Sequence, residues 1–173
     1  MKPGDMGKTL SWEELIKTLS YDPETGIFIK RALTKHQKER LAGTNSGSPY
    51  TRICLNRNTY LAHRLAWYYM TGKPPEMLID HINGDKRDNR FCNLRPADYS
   101  QNMMNSKIAS SNTSGCKGVC WKKSEKKWQA IGKIQGKKKH LGYFDNFDEA
   151  VSAYKEFAIE HHGEFYLETS YLK

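Results

Sequence analysis

A chain of 173 residues is enough for one ordinary domain or two small ones, each with a modest core. No apolar run reaches the roughly 18 residues of a membrane span. The polar, Gly-rich opening at residues 1–8 lacks the apolar segment of a signal peptide, so a cytoplasmic protein is expected, with no membrane partner. Lys and Arg number 28 against 19 Asp and Glu, giving a net charge of +9 and a pI of about 9.3, an excess that points to a polyanionic partner.

Taken in chain order, Ser11-Trp-Glu-Glu14 has the form of a capping box, and Trp12, Leu15, Ile16 and Leu19 recur at helical spacing. A short helix over 11–19 is predicted. Asp22-Pro-Glu-Thr-Gly26 reads as a turn, and 27–29 and 51–55 read as short strands around a Gly/Ser/Asn-rich loop at 42–49. Residues 61–71 have the length and period of a helix closed by Gly72, with Pro74 and Pro75 beyond. Residues 78–82 read as a strand and Asn83-Gly84 as a turn. Pro96 is expected at the first position of a helix carrying Tyr99, Asn102 and Met103.

Residues 105–115 are nearly devoid of apolar side chains and read as a linker. Three strand candidates follow at 118–122, 128–134 and 138–144. A second capping-box candidate at Asn146 then precedes a helix striped with Ala150, Ala153, Tyr154, Phe157 and Ala158 that stops at Gly163. Between Cys116 and His140 nine lysines face one acid, Glu125, with Trp121, Trp128 and Ile131 interleaved. A membrane-binding segment would show a basic amphipathic helix, whereas lysines alternating with aromatics on strands suit nucleic acid. Cys54, Cys92, Cys116 and Cys120 form no C-x2-C pair, so neither disulfides nor a zinc ribbon is expected.

The chemistry concentrates in residues 78–105. Neighbours in a strand point to opposite faces, so Asp80 and His81 serve different ends. A carboxylate with an amide oxygen such as that of Asn102 makes a hard ligand set suited to Mg²⁺ or Mn²⁺, and a neutral His nearby can take a proton from water near pH 7. On residues alone, a solvated Asp-His turn with Asn93 and Asn102 as ordinary caps stands as the alternative.

Ile79-Asp-His-Ile-Asn-Gly-Asp-Lys-Arg-Asp-Asn-Arg-Phe-Cys-Asn-Leu-Arg95, continuing to Gln101-Asn-Met-Met-Asn105, resembles the HNH nucleases of phage and intron homing-endonuclease type. Ala62-His-Arg-Leu-Ala-Trp67 and Tyr21-Asp-Pro-Glu-Thr-Gly26 extend the likeness over roughly 11–105. The resemblance implies a ββα-metal unit in an α+β chain, with Asp80 as metal-ligating acid and His81 as the general base. Asn93 is then the middle Asn that fixes the loop, and Asn102 is a ligand where many members carry a third His. One divalent ion, Mg²⁺ or Mn²⁺, is implied, with double-stranded DNA cut to 5′-phosphate and 3′-hydroxyl ends and no small-molecule cofactor. His63 and Arg64 are candidate phosphate holders, with core packing or capping as the alternative. One site per chain suits a monomer that nicks. The rival reading is a non-catalytic DNA-binding protein that keeps the HNH fold as scaffold.

Ser114-Gly-Cys-Lys-Gly-Val-Cys-Trp121, Lys127-Trp-Gln-Ala130, Leu141-Gly-Tyr-Phe144 and Glu149-Ala-Val-Ser-Ala-Tyr154 resemble an AP-two/ERF DNA-binding domain over 114–165. That implies a three-stranded sheet on one helix, with the sheet entering the major groove. Lys117, Trp121, Lys123, Gln129, Ile131, Lys133 and Lys138 are expected on the DNA face. Val119, Ala130 and Leu141 should face the helix, and Trp128 should lie in the core. Lysines in place of arginines favour phosphate anchoring over base reading. The expected organisation is a nuclease domain over 1–104, a linker over 105–115 and the DNA-binding domain over 116–173.

Overall fold

A computed structural model describes residues 10–134 and 136–166, and the chain divides into two compact units, Met1–Asp98 and Tyr99–Lys173. The division falls a few residues before the 104/105 boundary expected from composition. It assigns the segment carrying Asn102 to the second unit.

Among the described residues, the first element of this unit is helix α1 (Trp12–Thr18), whose N-cap Ser11 accepts the Glu14 amide at 3.2 Å. The Glu14 carboxylate accepts from Asn56 Nδ2. Strands β1 (Leu19–Asp22), β2 (Ile27–Lys30) and β3 (Arg40–Ala42) form an antiparallel sheet in that order. Strands β4 (Arg52–Leu55) and β5 (Asn58–Leu61) form a hairpin closed by Asn56 and Arg57, both at positive φ (47° and 66°), as a two-residue primed turn requires. Helix α2 (Ala62–Thr71) ends at Gly72 in the left-handed conformation, φ 69°, with the Gly72 amide donating to Tyr68 O. Leu15, Leu19, Phe28, Ile53, Tyr60, Leu65, Ile79 and Leu94 fill the core between these elements. Trp12 Nε1 bonds to Tyr69 O and Tyr68 Oη to Leu10 O, tying α2 to α1 and the segment before it.

Strands β6 (Leu78–His81) and β7 (Leu94–Ala97) close the unit as a second hairpin. Pro96 therefore does not open a helix; it lies in β7 opposite Ile79. In a two-stranded ladder each strand has an unpaired edge, and a residue whose amide would point outward can be Pro. The next helix, α3 (Tyr99–Met104), starts three residues later and belongs to the second unit.

In the second unit, β8 (Val119–Lys122), β9 (Lys127–Ile134) and β10 (Lys137–Phe144) form a three-stranded antiparallel sheet with β9 central. It packs on helix α4 (Phe147–His162), whose N-cap Asn146 accepts the Asp148 amide at 2.8 Å. Val119, Ala130, Ala150, Tyr154 and Ala158 make the core, with Trp128 and Leu141 partly buried against it. Gly118 and Gly132 lie under the rings of Tyr154 and Phe157, where any Cβ would overlap the aromatic carbons. A bulge between His140 and Gly142 shifts the register of β10 by one residue.

Candidate active site

The β6–β7 hairpin sets Asp80 opposite Arg95 and His81 opposite Leu94. Both motif side chains are buried, Asp80 at 7% exposure and His81 at 4%. Asp80 Oδ2 accepts from Arg95 Nε at 3.1 Å and Nη2 at 3.0 Å, a forked, buried ion pair. No sequence signal singled out Arg95. Its role follows from strand register, which a linear motif does not display.

The loop from β6 to β7 is built by short-range bonds from side chains to main chain. Asn83 Oδ1 accepts the Asp85 amide at 2.8 Å, Asp85 Oδ1 accepts the Arg87 amide at 2.9 Å, and Gly84 supplies a positive φ of 70°. Asp88 forks with Arg90, whose hydrogen bonds hold the carboxyl down to about 2. Asn93 ties the two ends together. Its Oδ1 accepts the Asn83 amide at 3.0 Å, and its Nδ2 donates to Asn83 Oδ1 at 3.0 Å and Asp88 O at 2.8 Å.

The loop is also braced by the N-terminal sheet. Tyr21 Oη donates to Asn89 O at 2.7 Å, and the Phe91 amide donates to Pro23 O at 3.1 Å. Gly26, at φ 71°, lies so close that a Cβ would meet the Arg90 nitrogen at 2.5 Å. The Asp22–Gly26 turn is thus part of the site's foundation.

Around His81 the braced loop and α2 make a shell of rings and amides. His81 Nε2 stands 3.5 Å from Asn89 Oδ1, and the His63 ring meets the His81 ring edge-on with centroids 4.8 Å apart. Tyr50 flanks both rings, at 5.3 Å from His63 and 6.2 Å from His81, and Lys86 Nζ lies over the Tyr50 ring at 5.0 Å. Burial lowers the His81 pKa, an effect partly opposed by Asn89 and by the acids Asp80, Asp85 and Asp88, so the ring is neutral at pH 7.

His63 and Arg64, expected near phosphate, are both buried. The Arg64 guanidinium donates to Pro75 O at 3.0 Å and Met77 O at 3.2 Å, so it clamps the segment between α2 and β6. Two of its five donors are thus spent on main-chain carbonyls rather than held out towards a phosphate. Burial, then the neighbouring His81 and Arg64, push the His63 pKa down to about 3. An unfolded chain would protonate the same imidazole near 6.5, so acid favours the unfolded state. This contribution to stability is fully present above pH 6.5 and is lost as the pH falls from there towards 3. Urea titrations at pH 7 and pH 5 should differ by about 2 kcal/mol on account of this residue, a difference that His63→Leu removes.

Asn102 is carried by α3 in the second unit, where it is half-buried. In the same unit the β8–β9 pairing sets Val119 with Ala130 and Trp121 with Trp128 on the helix side of the sheet. Trp121 is therefore not on the open face. It meets Trp128 edge-on at 5.3 Å and stays 47% exposed at the end of the sheet. Lys117 is likewise turned from the open face, its ammonium bonded to main-chain carbonyls at Met103, Met104 and Ser106. Gln129, Ile131, Lys133 and Lys138 do occupy the open face, while Lys123 is exposed in the turn after β8. Alternation adds Lys122, His140 and Tyr143 to that face, where Gln129 Nε2 reaches Tyr143 Oη at 3.4 Å and His140 packs on Tyr143 at 4.6 Å.

Among the described residues no three His, Cys, Asp or Glu side chains lie together as a ready metal cage. No helix among them is long and apolar enough to cross a membrane. The model of the HNH endonuclease family matches residues 60–104, the stretch running from β5 through α3. Protein 3.8 of Escherichia phage T7 is 33% identical over 104 residues, covering 60% of this chain and 85% of the phage protein. No solved structure matches the chain. With the hairpin, the Asn93 tie and the buried Asp80-His81 pair falling inside the matched segment, the chain belongs to the family of phage T7 protein 3.8 and carries an HNH endonuclease domain at residues 60–104.

Proposed function

We propose that this protein is a divalent-metal-dependent DNA endonuclease of the homing or free-standing phage type, hydrolysing phosphodiester bonds to 5′-phosphate and 3′-hydroxyl ends. The observation that carries the reading is His81. It is a buried, neutral imidazole beside Asp80, at the mouth of a loop tied by Asn93 and braced from the N-terminal sheet. His81 takes the proton from the attacking water as general base. Asn93 holds the loop that frames His81. Asp80 offers a carboxylate oxygen, and Asn102, from its place in the motif, an amide oxygen, two hard donors that fit Mg²⁺ or Mn²⁺ with water and phosphate completing the shell. When bound, such an ion supplies Lewis-acid stabilisation of charge on phosphorus and on the departing 3′-oxygen. The chain order strand, strand, helix over β6, β7 and α3 supports a ββα-metal unit.

The functional modules we assign are a nuclease over 1–104, a linker over 105–115 and an AP-two/ERF-like DNA-binding module over 116–173. The three-stranded sheet on α4 and the lysines of its open face support the last of these. Lys122, Lys133 and Lys138 anchor phosphate, while Gln129, Ile131, His140 and Tyr143 lie against the bases. The protein acts as a monomer that nicks double-stranded DNA in the cytoplasm, that of the host cell if a phage encodes it.

One observation favours a second reading. Asp80 is engaged by Arg95, as it would be in a protein that keeps the HNH fold as a scaffold for DNA binding without cutting. Supercoiled plasmid separates the two. The nuclease reading expects conversion to nicked circles with Mg²⁺ or Mn²⁺ and none in EDTA. Tight binding with no cutting in either ion decides for the scaffold.

A further inference from the structure

Lys117 was expected to contact DNA, yet its ammonium is half-buried and bonded within the second unit. Nζ donates to Met103 O at 2.9 Å, Met104 O at 3.0 Å and Ser106 O at 2.9 Å, with Ser106 Oγ at 3.3 Å. These carbonyls close the C-terminal end of α3, where a helix leaves acceptors without intrahelical partners and where a cation meets the negative end of the dipole. Burial lowers the Lys117 pKa to about 8, which still leaves it mostly charged at pH 7.

Helix α3 needs such an anchor. It spans six residues, none of them buried, and a single turn and a half does not persist in water by propensity. Asn102 lies immediately before the first of the three carbonyls. Lys117 belongs to the segment leading into β8, with Cys116 and Val119 on either side buried in the core against α4. The chain of support therefore runs from the core of the basic module, through the Lys117 stem and ammonium, to the last turn of α3.

We infer that Lys117 is a positioning residue for Asn102. The basic module holds the helix that supplies the third residue of the nuclease motif, besides its own contacts to DNA. Lys117 itself touches neither phosphate nor metal. The inference rests on the reading of Asn102 as a metal ligand, and the test keeps the two apart.

The full-length Lys117→Met protein retains the apolar stem and loses the three charge-assisted bonds. Hydrogen exchange at residues 101–106 should quicken about tenfold or more, as expected for the loss of hydrogen bonds to a charged group, while β8–β10 keep their protection. The Mg²⁺ concentration for half-maximal nicking should rise severalfold, with DNA affinity in EDTA unchanged. Lys117→Arg keeps a cation and should recover part of both losses. Unchanged exchange at 101–106 overturns the inference. So does a fall in EDTA-phase DNA affinity with a shallower salt slope, the mark of a lost phosphate contact. Asn102→Ala tests the underlying reading separately: if its Mg²⁺ requirement is that of wild type, the ligand role fails, whatever Lys117 does to α3.

Discussion

With His81 as the proposed general base, His81→Ala should lower the rate of Mg²⁺-dependent cleavage by about 10²- to 10⁴-fold, the usual contribution of such a group, while DNA binding in EDTA should stay within twofold of wild type. His81 is buried to 4% exposure, held between Asn89, the edge of His63 and the more distant Tyr50, and uncharged at neutral pH. The neighbouring imidazole of His63 is no substitute: it is buried, with an Nδ1 that meets no partner among the described residues. Single-turnover cleavage of a nicked or supercoiled substrate measures the effect directly. A His81→Ala protein that cuts at the wild-type rate shows that the proton leaves by another route.

The second large effect concerns stability. Arg95→Met removes one partner of a buried ion pair and leaves the Asp80 carboxylate behind, a change that costs about 3–5 kcal/mol when the remaining charge has no substitute. Chemical denaturation should show the loss, and the double variant Arg95→Met/Asp80→Asn should regain much of it because the carboxylate charge that faced Arg95 is gone. The same variant probes the nuclease reading. If Asp80 takes a divalent ion, Mn²⁺ supplies the missing positive charge and raises the melting temperature of Arg95→Met more than that of wild type. Equal shifts in the two proteins speak for the scaffold reading.

Much of the fold is legible in the sequence because its signals are local. The α2 boundary is written in Gly72 and the prolines beyond it, and the β8–β10 sheet with α4 follows from alternation, polar turns and the Asn146 cap. What escapes is set by partners distant along the chain. The β4–β5 turn carries Asn56-Arg57 with no glycine, so of its two positive φ values only that of Asn56 falls on a residue type that favours it. Trp121, two residues from Val119, shares its helix side by alternation alone, whereas Lys117 lies before β8 and its carbonyl partners at the end of α3 follow from no strand period. Within the site, Asp80, His81 and Asn93 stand out as a motif, whereas Arg95 becomes visible only through strand register. The His63–His81 contact needs α2 laid against β6, and no spacing rule encodes it.

The bond from Tyr21 to Asn89 joins residues 68 positions apart. Closing so long a segment costs loop entropy that one hydrogen bond does not offset, so the bond depends on the packing of the elements between its ends. The nuclease loop therefore acquires its shape only when the N-terminal sheet has docked, and its order reports on the folding of the whole first unit. A fragment cut to residues 60–104 would carry every letter of the family signature and lack the brace that gives the loop its form.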